Sequence, residues 1–266
     1  MHKSLLLAPL FLIQCANVEK NLVEKELIET KQDITTEISY QNIPQTDQAE
    51  RVEIIPSGFT RRIGRLEMTG GTVCTATLIG ENLILTADHC AENKDLTTRS
   101  PEDFTFYAGF SRGEYIAKSD ITGVIAPDST SANGWFDSKI KFSFDDIAVL
   151  VLAEPLGKKL GFEKVRTDPL PDLPNGTQFQ SMQIGYNREY GKRMTGDIDC
   201  ELIEHFINPN ILSSRCKVSA MDSGSPQFIW LNNQRQIVGV TSQKIPTGSM
   251  VSPTHRSKVI QQLKLK

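Results

Sequence analysis

The chain reads as all-β, a sandwich or barrel, and two observations carry that expectation. After Phe59, apolar and β-branched runs of strand length alternate with Gly, Pro, Asn and Asp. The runs are Thr72 to Ile79, Leu83 to Thr86, Phe104 to Ala108, Ile147 to Leu152, Phe179 to Ile184, Gln227 to Leu231 and Ile237 to Ser242. The second observation is the segment Asp168 to Gly176, with Pro169, Pro171 and Pro174. Proline fixes φ and lacks an N–H, so this segment reads as a connection between two β halves. The period changes only at the end, where Val259, Ile260 and Leu263 share a helical face and Ser252 or Thr254 can cap the start. A C-terminal helix over 252–266 is expected.

The N-terminus has a different texture. His2 and Lys3 precede an apolar stretch from Leu5 to Ile13 that ends near Cys15. A bilayer span needs about 20 apolar residues, so the stretch reads as an export signal over 1–14. Leu12-Ile13-Gln14-Cys15 resembles a bacterial lipobox, in which the signal is cut before a Cys that carries lipid; Gln14 stands where a small residue is usual. Cys15 is therefore the candidate lipidation site, and membrane contact is expected only through it. The plainer alternative is a secretory peptide whose apolar region happens to end in Cys. Export to the periplasm or outer membrane follows from the first reading, and secretion from the second. Residues 15–58 are rich in Glu, Lys, Gln and Thr, with Tyr40 their only aromatic, and read as a flexible tether or propeptide ahead of a domain at 59–266.

With 266 residues, 39% hydrophobic and 23% charged, the composition is that of one large globular domain or two small ones. A net charge of −3 without a long Lys or Arg run excludes nucleic acid as a partner. Setting Cys15 aside leaves Cys74, Cys90, Cys200 and Cys216, an even number that suits two disulfides in an exported protein. Three connectivities exist, and sequence proximity favours Cys74–Cys90 and Cys200–Cys216. The first would close a loop worth roughly 3 kcal/mol. No Cys-x-x-Cys or His-Glu-x-x-His spacing appears and the His residues are scattered, so neither metal nor cofactor is expected.

Three separated segments supply the parts of nucleophilic acyl transfer, which needs a hydroxyl, a base for its proton and a carboxylate to orient the base. Cys74-Thr75-Ala76-Thr77-Leu78-Ile79-Gly80 is followed by Leu85-Thr86-Ala87-Asp88-His89-Cys90. Asp145-Asp146 precede the apolar run Ile147-Ala148-Val149-Leu150-Val151-Leu152, where a buried carboxylate is costly unless hydrogen-bonded. Met221-Asp222-Ser223-Gly224-Ser225-Pro226 comes last. Each segment alone is weak: a His beside a Cys is usually structural, acids before a strand are usually turn residues, and Ser-Gly-Ser-Pro is common in turns.

Together, in the order His, Asp, Ser, they resemble the chymotrypsin-like serine peptidases. The first segment is similar to the family's strand, turn and Thr-Ala-Ala-His-Cys ending. The second is similar to its Asp-Ile-Ala-x-Leu segment, and the third to its nucleophile loop Gly-Asp-Ser-Gly-Gly/Ser-Pro, with an ending closer to the bacterial, glutamyl-endopeptidase-like branch. The resemblance runs from about Phe59 to Leu265. It implies two six-stranded antiparallel β-barrels, about 59–156 and 157–250, closed by a C-terminal α-helix. It implies His89 as base, Asp146 as orienting acid with Asp145 as fallback, Ser223 as nucleophile, and the amides of Met221 and Ser223 as oxyanion hole. It also implies a protein or peptide substrate. Ile237-Val238-Gly239-Val240-Thr241-Ser242 resembles the cleft strand whose edge pairs with an extended peptide. Lys217 falls near the family's primary pocket, where it would favour acidic side chains. Thr241 sits near a position at which glutamyl-specific relatives carry His, and Ser242 matches the Ser beside the triad acid.

The departures matter equally. Met221 replaces a Gly and restricts the backbone of an oxyanion donor. Asp88 replaces a small residue before the base and is expected to face solvent. In trypsin-like relatives the Asp before the nucleophile pairs with an α-amino group released by cleavage; Asp222 keeps the acid, but no Ile-Val-Gly-Gly follows the tether. Arg61-Arg62-Ile63-Gly64 reads as the start of the first barrel strand. Arg51-Val52 is then the expected processing site, where a cut would complete the catalytic site and free the domain. Two rivals remain: a catalytically impaired homologue that binds a partner through the same cleft, and an exported β-sandwich adhesin with accidental motifs.

Overall fold

The computed structural model describes residues 51–127, 145–171, 179–204, 212–246 and 248–263, all within the compact unit Tyr40–Lys266. The expected signal, Cys15 and the tether as far as Glu50 lie outside the described residues. So does the later part of the Asp168 to Gly176 connection.

Two closed six-stranded antiparallel barrels form the molecule, as the sequence implies. A short strand β1 (Val52–Glu53) precedes the first barrel. That barrel contains β2 (Ile63–Met68), β3 (Val73–Leu78), β4 (Leu83–Thr86), β5 (Phe104–Ala108), β6 (Ala117–Ile125) and β7 (Ala148–Leu152), in the order β2-β3-β4-β7-β6-β5. The second contains β8 (Phe179–Tyr186), β9 (Met194–Glu204), β10 (Leu212–Ser214), β11 (Pro226–Leu231), β12 (Gln234–Ile245) and β13 (Gly248–Pro253). Its ring β9-β10-β13-β12-β11-β8 closes through the β8–β9 ladder, and β1 adds to β9 with Val52 opposite Gly196. Closure leaves neither sheet with a long exposed edge.

Why the apolar runs are short but nearly continuous follows from which faces they bury. In β5, Phe104, Phe106 and Ala108 turn inward while Thr105 and Tyr107 do not, the alternation of a strand with one core face. β7 has two such faces: Ala148, Leu150 and Leu152 enter the first barrel's core, while Ile147 and Val149 join a second cluster with Met182, Ile184 and Phe228 of the other barrel. Leu85 of β4 belongs to that shared cluster as well, next to Ile84, which points into the first core. Both disulfides favoured by proximity are present, Cys74–Cys90 and Cys200–Cys216. Among the described residues no helix is long and apolar enough to cross a membrane.

The structure corrects two expectations and adds one element. Residues 51–58 are not tether: Arg51 and Ile54 are buried and Val52 pairs with β9, so packed structure begins before the change of texture at Phe59. A short helix α1 (Leu156–Leu160), too brief to show a helical period, follows β7 with Leu156 and Leu160 buried. The final helix α2 spans Lys258–Leu263, not 252 onward. Ser252 and Pro253 stay extended because they pair with Val240 and Gly239. The first turn of α2 is instead held by Ser257 Oγ, which accepts from Ile260 N, and by Asp145 Oδ2, which accepts from Lys258 N at 2.9 Å. Asp145 is thereby committed to α2 and does not act as fallback for Asp146.

Candidate active site

His89 lies in a single 3₁₀ turn, Asp88–Cys90, directly after β4. The Cys74–Cys90 disulfide ties this turn to β3. Asp146 sits just before β7, the strand that pairs with β4, so the sheet register brings the two side chains together. Asp146 Oδ2 is 2.8 Å from His89 Nδ1, and Asp146 Oδ1 accepts from the His89 amide at 2.9 Å. The hydroxyl of Ser242 also donates to Asp146 Oδ2. The carboxylate is buried, whereas His89 keeps 42% of its side chain exposed, so one edge of the ring stays open.

Burial pushes the imidazole pKa down, but the charge of Asp146 and its hydrogen bond outweigh that effect and leave His89 above its ordinary value. The converse holds for Asp146. Burial acts to raise its pKa, yet the charge of His89 and the hydrogen bonds from His89 and Ser242 hold it below the usual carboxylate range.

Ser223 lies in the loop between Cys216 and β11. Its carbonyl accepts from Thr75 N at 2.9 Å, and the next residue, Gly224, donates to Thr241 O at 2.8 Å. Gly224 has φ +80°, and a Cβ on it would fall 2.2 Å from Thr75 O and 2.3 Å from Thr86 Oγ1. The loop therefore presses backbone to backbone on the β3–β4 segment that leads to His89. Among the described residues Ser223 Oγ makes no hydrogen bond to His89, and the amides of Met221 and Ser223 have no acceptor. Free amides flanking a hydroxyl are what an oxyanion hole requires.

Between those amides, Asp222 is fully buried. Its Oδ2 accepts from Ser219 N and Asn187 Nδ2, each at 2.8 Å, and its Oδ1 from Arg51 Nη2 at 2.9 Å. Burial raises the Asp222 carboxyl, with the Arg51 guanidinium opposing. Arg51, Asn187 and Gln183 are site residues that sequence reading missed. Arg51 carries a visible signal as the single arginine ahead of Phe59 and the expected processing site.

The sequence profile of the family described as Trypsin matches residues 51–265. The chain belongs to the trypsin family. It is a serine-type endopeptidase by that membership, and its solved relatives have the same fold. A Glu endopeptidase in complex with MPD shares 20% identity over 83% of this chain and 96% of its own, at TM-score 0.57. The protease Anisep from Arthrobacter nicotinovorans shares 18% over 81% and 98%, at 0.59. The thermostable serine protease AL20 from an extremophilic microorganism shares 16% over 77% and 96%, at 0.55. No curated protein sequence matches.

For this trypsin-family peptidase, two expectations change place, those for Thr241 and Asp88. Thr241, expected to contact substrate, is only 2% exposed. Its backbone N–H donates to Ser225 O and its carbonyl accepts from Gly224 N, so it clamps the Ser223 loop from beneath. Ser242 lies beside Asp146, as the resemblance implies, and its hydroxyl donates to that carboxylate. Lys217 is engaged through its backbone, its N–H donating to Asp197 Oδ2 and its carbonyl accepting from Arg51 Nη1. The segment Ile237 to Ser242 offers no free edge along most of its length, because β11 pairs up to Val240. The unpaired edge lies just beyond, where Gln243, Lys244 and Ile245 pair only with β13. Asp88 does not face solvent: it is 6% exposed, Oδ1 has no hydrogen-bond partner among the described residues, and burial together with Glu92 and Asp146 pushes its carboxyl up to about 8.

Met221 has φ +81°, the left-handed region that the family's Gly enters freely. A side chain there costs about 1–2 kcal/mol, partly offset by its smaller unfolded-state entropy relative to Gly. Met221→Gly is expected to gain roughly 1 kcal/mol in a urea melt without loss of activity. A loss of similar size would show that the Met side chain supports the loop.

Proposed function

We propose that this chain is an exported serine endopeptidase that cleaves peptide bonds through Ser223, His89 and Asp146 by way of an acyl-enzyme. The observation that carries the reading is the hydrogen-bonded His89–Asp146 pair, held one loop away from a serine flanked by two free amides. Ser223 Oγ attacks the substrate carbonyl carbon while its proton passes to His89 Nε2. Asp146 holds the Nδ1 proton and the imidazolium charge, with Ser242 fixing the carboxylate. The carbonyl electron pair moves to oxygen, which takes hydrogen bonds from the Met221 and Ser223 amides. Collapse breaks the C–N bond, His89 returns the proton to the leaving amine, and water repeats the sequence on the acyl-enzyme. The free edge at Gln243 to Ile245 suits an extended peptide bound as an added strand.

Two disulfides agree with export, because they persist in oxidising compartments. The signal over 1–14 and lipidation of Cys15 remain part of this proposal, with the periplasm or outer membrane as the destination. Secretion is the outcome if Cys15 carries no lipid. Met221, one of the two departures behind the impaired-homologue reading, has a backbone conformation that Gly also adopts, which supports the enzyme reading; Asp88 is the other.

A fluorophosphonate tests the reading. Ser223 Oγ would form a bond to phosphorus, fluoride would leave with the P–F pair, and the proton would pass to His89. Mass spectrometry is expected to find one label on the Ser223 peptide of the full chain and none on Ser223→Ala. An unlabelled, folded wild type would favour the binding module instead.

A further inference from the structure

We propose that Arg51 is a built-in positioning residue for the nucleophile loop, so that the uncut chain is the competent form and cleavage of the Arg51–Val52 bond disables it. The inference rests on the reading of Ser223 as nucleophile. It also reverses the expectation that a cut at this bond completes the site.

Arg51 is 4% exposed and every N–H of its guanidinium has an acceptor. Nε donates to Thr195 Oγ1 at 3.1 Å; Nη1 to Gln183 Oε1 at 2.5 Å and Lys217 O at 2.6 Å; Nη2 to Thr195 O at 3.2 Å and Asp222 Oδ1 at 2.9 Å. Neutral donors alone compensate a buried carboxylate's charge only in part, and among the described residues Arg51 is the cation bonded to Asp222. Gln183 contacts both partners, its Oε1 accepting from Arg51 and its Nε2 lying 3.3 Å from Asp222 Oδ1, so the pair forms one network.

The geometry makes the pair a positioning device and more than a staple. Asp222 is the residue between the two amides that face the reacting carbonyl, and its carboxylate is drawn inward by Arg51, Ser219 N and Asn187. Fixing the carboxylate fixes the peptide planes on either side of it. Lys217, whose carbonyl is held by Nη1, anchors the same loop at its start. Without the guanidinium, a carboxylate left with neutral donors alone would be drawn toward water and carry the Met221 and Ser223 amides with it.

The position of the cation in the chain gives the inference its regulatory consequence. Arg51 is followed directly by β1, where Val52 is held in register against Gly196. A cut after Arg51 leaves the guanidinium on the departing piece. The new amine at Val52 would have to abandon its strand to replace it. Trypsin-family similarity also begins at residue 51, so the ion pair lies within the matched domain.

The test uses the full chain in wild-type, Arg51→Met and Arg51→Lys forms, with fluorophosphonate labelling rate, thermal melting and peptide mapping as readouts. Labelled wild type is expected to retain the Arg51–Val52 bond. Arg51→Met is expected to stay folded but label about 100-fold more slowly. Arg51→Lys, which keeps a charge without the planar fork, is expected to recover about tenfold of that loss. Labelling of Arg51→Met at the wild-type rate would overturn the inference and leave the peptidase reading intact. No label on folded wild type would overturn the peptidase reading, and this inference with it. Should Arg51→Met fail to fold, the mapping decides: labelled wild-type chains that begin at Val52 or later would overturn the proposal, and an intact bond supports it.

Discussion

Asp146→Asn is expected to lower kcat/KM by about 10⁴-fold at neutral pH while leaving the fold in place. An amide can donate to His89 Nδ1 as well as accept from it, so the ring loses the tautomer that presents a free Nε2 to Ser223. The same change alters pH behaviour in a direction that the pKa shifts set. The proposed mechanism requires neutral His89, and its pKa is raised, so the acid limb of the wild-type profile should lie above pH 6.5. The limb should move to lower pH in Asp146→Asn. Stability follows the same pair. The raised His89 contributes stability fully present below pH 6.5 and lost as pH rises through its folded pKa; the lowered Asp146 contributes stability present above pH 3.8 and lost as pH falls through its folded pKa. Asp146→Asn should therefore cost more stability near pH 5 than near pH 9. Denaturant melts at the two values check the sign, and an equal cost at both would show that the pair does not titrate as a unit.

Gly224→Ala is expected to have the largest effect on the folded state. Its Cβ would collide with Thr75 O and Thr86 Oγ1, and φ +80° is unfavourable for Ala even in open space. Neither neighbour is the free end of a flexible side chain, since Thr86 Oγ1 is itself bonded to Thr75 O at 2.8 Å. A loss of at least about 3 kcal/mol is expected from overpacking plus backbone strain, together with slower fluorophosphonate labelling as the loop withdraws. A melt within about 1 kcal/mol of wild type, with unchanged labelling, would mean that the loop does not rest on β3 and β4.

What could be read in the sequence depended on how a residue's role is encoded. Phe104-Thr105-Phe106-Tyr107-Ala108 is a strand with one buried face and shows it by alternation; its ends match the structure. The strand Ala117–Ile125 was missed because Lys118, Ser119 and Asp120 dilute the signal, although Ser119 and Ile121 are the buried positions. In Met194–Glu204 charged residues again interrupt the pattern, and β13 carries Gly, Ser and Pro, poor strand formers that are held in place by ladders on both sides. The His89–Asp146 contact was legible because each residue lies in a local motif of several residues. Arg51 was legible only as a cation, because its five acceptors come from Gln183, Thr195, Lys217 and Asp222, all more than a hundred positions away. Asp88 was misjudged for the same reason. Exposure is decided by what packs over a turn, and nothing in the neighbouring residues records it.

In the proposed mechanism the Ser223 hydroxyl, the His89–Asp146 pair and the two loop amides converge on one reacting group. The most direct measurement is a crystal structure of the full chain after reaction with a fluorophosphonate. The phosphonyl oxygen should lie about 2.7–3.1 Å from both Met221 N and Ser223 N, with phosphorus bonded to Ser223 Oγ and His89 still joined to Asp146. A phosphonyl oxygen turned to solvent away from both amides, or an adduct on any other residue, would contradict the account.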